Sequence, residues 1–382
     1  MAISSVKDYR ELARRRLPKQ LFDFIVGGAY EEFTIEENNA ALGRILFNKR
    51  VLRDVSTVST QTTILGQPVE QPLILAPVGF AGIYARRGEI LAARAAQRAG
   101  VPFSLSTLSI CSLEEVKQST CLPFWFQLYM IKDRGYCKEL LQKAHECGCP
   151  VLFLTVDLPV VGVRYRDIRN GMAPSVAPVP GTTRLRRLWE LLSHPRWFYD
   201  VYLKGQPFLL GNLQNAIPDI RDLTKMRIWV DNHLEAGLTW KDVEWVRKVW
   251  PGKMVLKGIL DVEDARQAQN FGADGIVVSN HAGRHFDSTP ATISVLPGIV
   301  EACSLEVLID GGFFSGLDLV KALALGAKGV MIGRPWALAL AARGEQGVSE
   351  ILQIYQQELM NAMAHLGVTS IAQIDKSLIK ML

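Results

Sequence analysis

Short apolar runs recur along the chain, and most are followed by a polar or glycine-containing turn. Continuous runs of aliphatic, β-branched and aromatic residues are typical of strands buried on both faces of a parallel sheet. Eight such runs predict strands, at 73–79, 102–107, 124–130, 150–157, 254–259, 275–280, 306–311 and 329–333.

Helical patterns alternate with these runs. Examples lie at 88–100, 137–148, 262–272 and 316–326, and each ends in the glycine that commonly terminates a helix. Eight strand–helix alternations predict an α/β fold whose parallel sheet closes as a (β/α)8 TIM barrel. An open, doubly wound sheet is the alternative.

We expect a single domain over residues 1–382, arranged around this barrel. Residues 1–72 should form an N-terminal cap of helices and a small hairpin, and 346–382 should form C-terminal helices. The barrel occupies 73–345 and carries a long insertion at 160–250, after the fourth strand. A connection of this length is usually functional, as a lid or an interaction segment.

Composition restricts the function classes. The chain is 48% hydrophobic and 21% charged, which is typical of a globular protein. Its net charge of +5 does not imply nucleic acid, although it suits acidic substrates or an anionic membrane surface. The six cysteines show no CxxC spacing, so no metal site is expected. Neither a secretory signal nor a bilayer-spanning apolar run is apparent.

Polar side chains or glycines end nearly every predicted strand. Active sites of barrels lie at the C-terminal ends of the strands. Singly, such residues more often cap helices or form turns, but a ring that includes a lysine and a histidine favours a functional site. The ring consists of Pro77, Val78, Gly79, Ser106, Gln127, Tyr129, Thr155, Asp157, Lys257, Ser279, Asn280, His281, Asp310, Gly311, Gly312, Gly333 and Arg334.

Part of this ring suits a flavin. Lys257 lies in a buried strand, where its charge is costly unless an anion pairs with it, and a reduced flavin gains negative charge. Ser106, Gln127 and Thr155 offer the donors and acceptors that the edge of an isoalloxazine ring needs. Barrels commonly bind phosphate after strands seven and eight, where this sequence has Gly311 and Gly312, and Gly333 and Arg334.

A second group suits acid–base chemistry on a carboxylate substrate. His281 is the only histidine at a predicted strand end and could act as a general base. Asp157 could orient the imidazole of His281, and Arg284 could bind a carboxylate through two parallel hydrogen bonds. Taken alone, His281 could instead be a satisfied core or cap histidine. The other histidines look like surface or loop residues: His145, His194, His233, His285 and His365.

Seven segments, in order, resemble the FMN-dependent L-2-hydroxy-acid oxidase and dehydrogenase family. They are LAPVGFAGIYARRGE, LSTLSICSLEEV, FWFQLYMIKDRG, FLTVDLPVVGVRYRD, VLKGILDVEDA, GADGIVVSNHAGR and KALALGAKGVMIGRP. YARRGE, VRYRD and WKDVEWVR resemble the bacterial quinone-linked L-lactate dehydrogenase branch most strongly.

The resemblance implies roles for individual residues. It makes His281 the catalytic base with Asp157 as its partner, and it places Arg284, Arg164 and Tyr129 at the substrate. It also implies that FMN is surrounded by most of the other members of the ring, namely Pro77, Val78, Gly79, Ser106, Gln127, Thr155, Lys257, Ser279, Asp310, Gly311, Gly312, Gly333 and Arg334.

The sequence departs from the family pattern at three positions. Phe24 stands where the family usually has a tyrosine whose hydroxyl meets the substrate carboxylate. Ala282 replaces a glycine after the catalytic histidine. Phe314 stands where an arginine normally contacts the FMN phosphate, and losing such a contact costs about 1.5–3 kcal/mol.

The implied activity is oxidation of an L-2-hydroxy acid, L-lactate above all, by a homo-oligomeric enzyme that passes electrons to a quinone or another carrier. An oxygen-using oxidase is one alternative. A barrel that has lost catalysis and serves as a binding protein is another, and only Phe24 and Phe314 support it.

Residues 184–204 suggest where the protein resides. This segment, RLRRLWELLSHPRWFYDVYLK, mixes basic residues with aromatic and aliphatic ones, as interfacial membrane segments do. We expect peripheral attachment to the cytoplasmic face of the inner membrane, where a quinone acceptor would be available. Packing of these side chains against the barrel or a neighbouring subunit is the alternative.

Overall fold

The computed structural model describes residues 2–173, 185, 188–190, 192–205, 209–216 and 223–381. The chain opens with three helices, α1 (Val6–Arg16), α2 (Lys19–Val26) and α3 (Phe33–Gly43). Strand β1 (Ile45–Phe47) follows, and then a hairpin of β2 (Thr62–Ile64) and β3 (Gln67–Val69). The N-terminal part is therefore helical with one small hairpin, as its sequence suggests.

Eight parallel strands form the barrel. They are β4 (Leu73–Leu75), β5 (Ser104–Ser106), β6 (Trp125–Leu128), β7 (Val151–Thr155), β8 (Lys253–Ile259), β9 (Gly275–Val278), β10 (Glu306–Ile309) and β11 (Gly329–Ile332). The sheet runs from β4 through β11 back to β5. A parallel bridge between Leu75 and Phe103 joins its two ends. The predicted barrel is confirmed, and the open sheet is wrong.

The hairpin closes the N-terminal end of the barrel. Ile64, Leu65 and Val69 belong to a buried apolar cluster with barrel residues that include Trp125 and Phe153. The Leu65 amide donates to the Glu306 carboxylate at 2.5 Å, which ties the hairpin to β10. This end of the barrel is therefore filled by apolar side chains.

Helices follow the strands as the periodicity predicts. The four predicted helices are α4 (Gly88–Arg98), α6 (Arg134–Glu146), α11 (Val262–Asn270) and α13 (Gly316–Ala324). The remaining barrel helices are α5 (Leu113–Ser119), α10 (Trp240–Val249) and α12 (Thr292–Ala302). A capping box at Ser112 and Glu115 starts α5, which was too short for its periodicity to stand out.

The long connection after the fourth barrel strand is largely helical where it is described. It contains α7 (Tyr165–Arg169), α8 (Pro195–Trp197, continuing as a π-helix over Phe198–Leu203) and α9 (Leu223–His233). Trp197 is buried and donates from its indole nitrogen to the Ile83 carbonyl at 2.8 Å. The prediction that Trp197 is one of the membrane-facing residues is therefore wrong. Arg184, Arg186, Arg187 and Leu191 lie outside the described residues.

The chain ends with α14 (Arg334–Leu366), which bends at Arg343 and Gly344, and a strand β12 (Ile379–Met381). Strand β12 pairs antiparallel with β1. The expectation of helices alone at the C-terminus is thus wrong at its last residues, because pairing with a strand from the N-terminal cap, distant in sequence, extends the backbone. Within the described ranges, no helix combines the length and apolar character needed to cross a membrane.

Candidate active site

One large cavity opens at the C-terminal ends of the barrel strands. This is the end of a barrel at which active sites lie. The predicted residues that line the cavity are Phe24, Pro77, Val78, Gly79, Tyr129, Arg164, Lys257, His281, Arg284, Asp310, Gly311, Gly312, Gly333 and Arg334.

The other predicted residues lie behind this lining. Ser106 donates to the Gln127 side-chain oxygen at 3.1 Å, and the Gln127 amide donates to Thr155 at 2.9 Å. These three form a polar ladder across neighbouring strands, and they bond to one another. Ser279 and Asp157 likewise support residues of the lining.

The imidazole of His281 is held between two side chains. Its Nδ1 lies 3.0 and 3.2 Å from the two Asp157 carboxylate oxygens, and its Nε2 lies 3.2 Å from the Tyr129 hydroxyl. A proton on Nδ1, donated to Asp157, leaves Nε2 as an acceptor on the cavity side. The geometry is that of a general base with an orienting carboxylate.

Asp157 is suited to remain ionised. Burial alone would raise the pKa of its carboxyl, but the charge and hydrogen bond of His281, together with Lys257, bring that pKa below its ordinary value. Burial raises the pKa of Tyr129, and the nearby Asp157 adds to the rise, so its hydroxyl stays protonated. Asp157 can therefore stabilise a positive charge that develops on the imidazole.

Lys257 is buried and is paired with an anion. Its ammonium group lies 2.6 Å from an Asp310 carboxylate oxygen and donates to the Ser279 hydroxyl at 2.9 Å. The same hydroxyl accepts from the His281 amide at 3.0 Å. Ser279, predicted at the cofactor, thus connects the lysine to the histidine backbone.

Two arginines bind the C-terminal end of α2. Arg284 donates to the carbonyls of Phe24, Ile25 and Gly27, and Arg334 donates to those of Ile25, Gly27 and Ala282. Burial and the positive charge of Arg284 lower the pKa of Arg334 to about 9. Neither guanidinium group has a carboxylate within salt-bridge distance among the described residues, so the positive charge of each can attract an anionic ligand.

The ring of Phe24 lies between two guanidinium groups. The central carbons of Arg164 and Arg284 are 4.9 and 5.2 Å from its centroid, within the range of cation–π attraction. Arg164 also contacts Asp167, with Nε 2.8 Å from Oδ2. The apolar side chain therefore still contributes to the arrangement of the two arginines.

Among the histidines and charged residues of the cavity wall, three were not predicted from the sequence. His285 lies in a loop, as expected, but it is part of the cavity lining, with its ring 4.2 Å from that of His281. Burial, with the nearby charges of His281 and Arg164, lowers the pKa of His285 well below its ordinary value, so this ring stays neutral. Arg227 and Asp231 also line the cavity, and they come from α9, in a connection without a recognisable motif.

The residues present fit FMN. Gly311 and Gly312 have φ values of 97° and 91°, which L side chains rarely adopt, and they shape a turn after β10 beside Arg334. A second oxygen of Asp310 is buried without a hydrogen-bond partner in the described part of the chain, as expected of an acceptor awaiting a ribityl hydroxyl. Lys257 supplies a cation where the pyrimidine edge of a flavin would need one.

A closed barrel has here a lysine, an oriented histidine and two arginines without a carboxylate partner among the described residues, all around one cavity. This combination defines a class of protein: a flavin-dependent oxidoreductase acting on an anionic substrate. Comparisons with known proteins narrow that class. The profile of the FMN-dependent dehydrogenase family matches residues 13–381.

Among curated relatives, L-lactate dehydrogenase of Caulobacter sp. (strain K31) is 48% identical over 99% of each chain. L-lactate dehydrogenase of Pseudomonas syringae pv. syringae (strain B728a) is 47% identical, again over 99% of each. Among solved structures, the monotopic membrane protein (S)-mandelate dehydrogenase superposes with a TM-score of 0.93 at 34% identity, covering 100% of both chains.

The chain belongs to the FMN-dependent dehydrogenase family. The resemblance drawn from its motifs is confirmed, and the protein is an FMN-dependent oxidoreductase of the 2-hydroxy-acid dehydrogenase type.

Proposed function

We propose that this enzyme oxidises L-lactate, or a closely related L-2-hydroxy acid, to the 2-oxo acid. The observation that carries the proposal is the His281 ring, fixed by Asp157 at Nδ1 and facing the cavity with Nε2. The names of the curated relatives support lactate as the first candidate.

We assign the substrate carboxylate to the cationic wall of the cavity. Arg284 and Arg164 would hold it from two sides of the Phe24 ring, and the Tyr129 hydroxyl would donate to it or to the 2-hydroxyl oxygen. Guanidinium groups suit this task because they bind carboxylates through paired, charge-assisted hydrogen bonds. The 2-hydroxyl then lies towards His281.

In the proposed mechanism, His281 Nε2 takes the proton of the substrate's 2-hydroxyl. Asp157 stabilises the resulting imidazolium and keeps its ring in place. FMN, when bound, supplies the two-electron oxidation by accepting the hydrogen and electron pair that leave C2 of the substrate.

The remaining residues would hold and tune the cofactor. Lys257 would stabilise negative charge at the pyrimidine edge, with Asp310 and Ser279 fixing its ammonium group. The segment Pro77–Gly79 would lie along the ring, above the ladder of Ser106, Gln127 and Thr155. The glycines after β10 and β11, with Arg334, would bind the phosphate.

We infer that the acceptor is a membrane quinone and that the enzyme binds the cytoplasmic face of the inner membrane peripherally, as a homo-oligomer. The (S)-mandelate dehydrogenase of similar structure is a monotopic membrane protein. Large apolar side chains in and beside α8 are exposed here, namely Leu185, Leu188, Trp189, Leu192, Tyr199, Tyr202 and Leu203.

Anaerobic mixing of the purified holoenzyme with a panel of L-2-hydroxy acids tests the proposal. We expect bleaching of the flavin absorbance, fastest with small side chains, followed by rapid reoxidation by a quinone and slow reoxidation by oxygen. Rapid reoxidation by oxygen would make the enzyme an oxidase. A holoenzyme that no 2-hydroxy acid bleaches would contradict the proposal.

A further inference from the structure

Four charged side chains form a cluster at the edge of the cavity, two from α7 and its N-terminal flank and two from α9. Asp167 Oδ2 lies 2.8 Å from Arg164 Nε and 2.8 Å from Arg227 Nη1. Asp231 completes the cluster, with Oδ2 4.0 Å from Arg227 Nε. One carboxylate oxygen thus bridges an arginine of the proposed substrate site and an arginine of the long connection.

Three of the four side chains are shielded from solvent, and the fourth is partly exposed. The Asp167 side chain is 2% exposed, that of Arg164 8%, that of Arg227 12% and that of Asp231 29%. Two arginines and two aspartates make the cluster neutral, and its neutrality depends on all four, because screening by water is weak at this depth. Arg284, on the other side of the Phe24 ring, adds a further positive charge that repels Arg164.

We propose that Arg227 is a positioning residue for the substrate carboxylate, acting on Arg164 through Asp167. This inference rests on the proposed function, in which Arg164 holds that carboxylate. Arg227 Nη1 donates a hydrogen bond to Asp167 Oδ2, and the same oxygen forms a close ion pair with Arg164, so Arg227 holds the charge that faces the Arg164 guanidinium. It also balances the charge of Asp231, which would otherwise face an anionic substrate.

Both contributions disappear together when Arg227 is replaced by a neutral residue. Asp167, the partner of Arg164, then loses the hydrogen bond from Arg227, and the cluster carries a net negative charge beside the proposed substrate site. Misplacing a binding group by about 1 Å can cost up to roughly a hundredfold in rate, so a tenfold loss of carboxylate affinity is a modest expectation. The chemical step, which depends on His281, should change much less.

The test compares Arg227→Met, Arg227→Lys and the double variant Arg227→Met/Asp231→Asn with the unmodified holoenzyme. Oxalate, a carboxylate that this chemistry cannot oxidise, is titrated against the flavin spectrum, and KM and kcat are measured with L-lactate. Arg134→Met is the matched control, since Arg134 pairs with Asp242 at 2.7 Å and does not line the cavity. Thermal unfolding establishes that each variant is folded.

We expect Arg227→Met to raise the oxalate Kd and the lactate KM about tenfold, with kcat changed less than threefold. Arg227→Lys should recover most of the lost oxalate affinity. The double variant should recover only the part of that affinity that is lost through the uncompensated charge of Asp231. Arg134→Met should bind oxalate normally. Unchanged oxalate binding in a folded Arg227→Met, or an equal loss in Arg134→Met, would overturn the inference. Failure of every 2-hydroxy acid to bleach the flavin would instead overturn the proposed function, because the oxalate titration is independent of turnover.

Discussion

At the scale of single residues, the chemistry depends on a strained turn after β9. His281 and Ala282 have φ values of 51° and 52°, a left-handed conformation that costs non-glycine residues on the order of 1–3 kcal/mol each. The Ser279 hydroxyl holds the His281 amide, and Arg334 holds the Ala282 carbonyl. This turn directs the imidazole into the cavity.

The first prediction concerns the general base. Replacing His281 with Gln should retain bound flavin but slow its reduction about 10²–10⁴-fold, the usual contribution of general acid–base catalysis. Stopped-flow absorbance with L-lactate measures the rate. His233→Gln is the control, because His233 stacks on Trp229 outside the cavity lining. Reduction of His281→Gln at the unmodified rate would remove His281 from the mechanism.

Phe24 provides a second prediction at this scale. Its ring orders two arginines but cannot donate a hydrogen bond to the substrate. Phe24→Tyr keeps the aromatic face and adds a donor, so the KM for lactate should fall about fivefold to tenfold, the effect of one net hydrogen bond. Phe24→Leu, which loses the aromatic face, should raise KM. A higher KM in Phe24→Tyr would show that the added hydroxyl does not reach the carboxylate.

The third prediction tests the apolar residue at the expected phosphate site. Phe314 lines the cavity close to Gly311 and Gly312, where a cation would meet a dianion. Phe314→Arg should tighten FMN binding at least tenfold, since a charge-assisted hydrogen bond contributes about 1.5–3 kcal/mol. Fluorescence titration of the apoprotein with FMN gives the Kd. Phe314→Met, uncharged, should not tighten it, and equal affinity in all three proteins would mean that other groups already neutralise the phosphate.

At the scale of elements, the long connection after β7 performs two separate tasks in our account. Its helix α9 places Arg227 and Asp231 in the cavity wall, whereas the region of α8 turns apolar side chains outward. Trp197 and Val201 anchor α8 to the barrel, which leaves Trp189 and Leu192 on the exposed side. One inserted segment can thus shape the pocket and bind a surface.

The fourth prediction follows from this exposed side. Replacing Leu188, Trp189 and Leu192 with serine should shift the protein from the membrane to the soluble fraction of lysed cells, because each removes apolar area from the interface. Leu122→Ser and Leu317→Ser are the controls, since these exposed leucines lie elsewhere on the barrel. Activity with a soluble electron acceptor should persist. Unaltered membrane binding of the triple variant would mean that another surface is responsible.

At the scale of the whole molecule, the barrel could be predicted because its strands are continuous apolar runs and most of its helices end in glycine. The members of the proposed catalytic pair could be predicted because each follows a strand. Only β8 separates β7 from β9 in the sheet, which brings Asp157 close to His281. The pairing of β1 with β12 could not be predicted, because it joins segments that are distant in sequence and only three residues long. The contact between Arg227 and Asp167 could not be predicted either, because it depends on how α9 packs in the fold.

The most direct measurement of the central claim is anaerobic mixing of the holoenzyme with each enantiomer of lactate, followed by flavin absorbance and pyruvate analysis. Our account predicts that L-lactate bleaches the flavin and yields one pyruvate per flavin, while D-lactate does neither, because the arginines and His281 fix the carboxylate and hydroxyl on one face. Equal bleaching by both enantiomers, or bleaching without pyruvate, would contradict it.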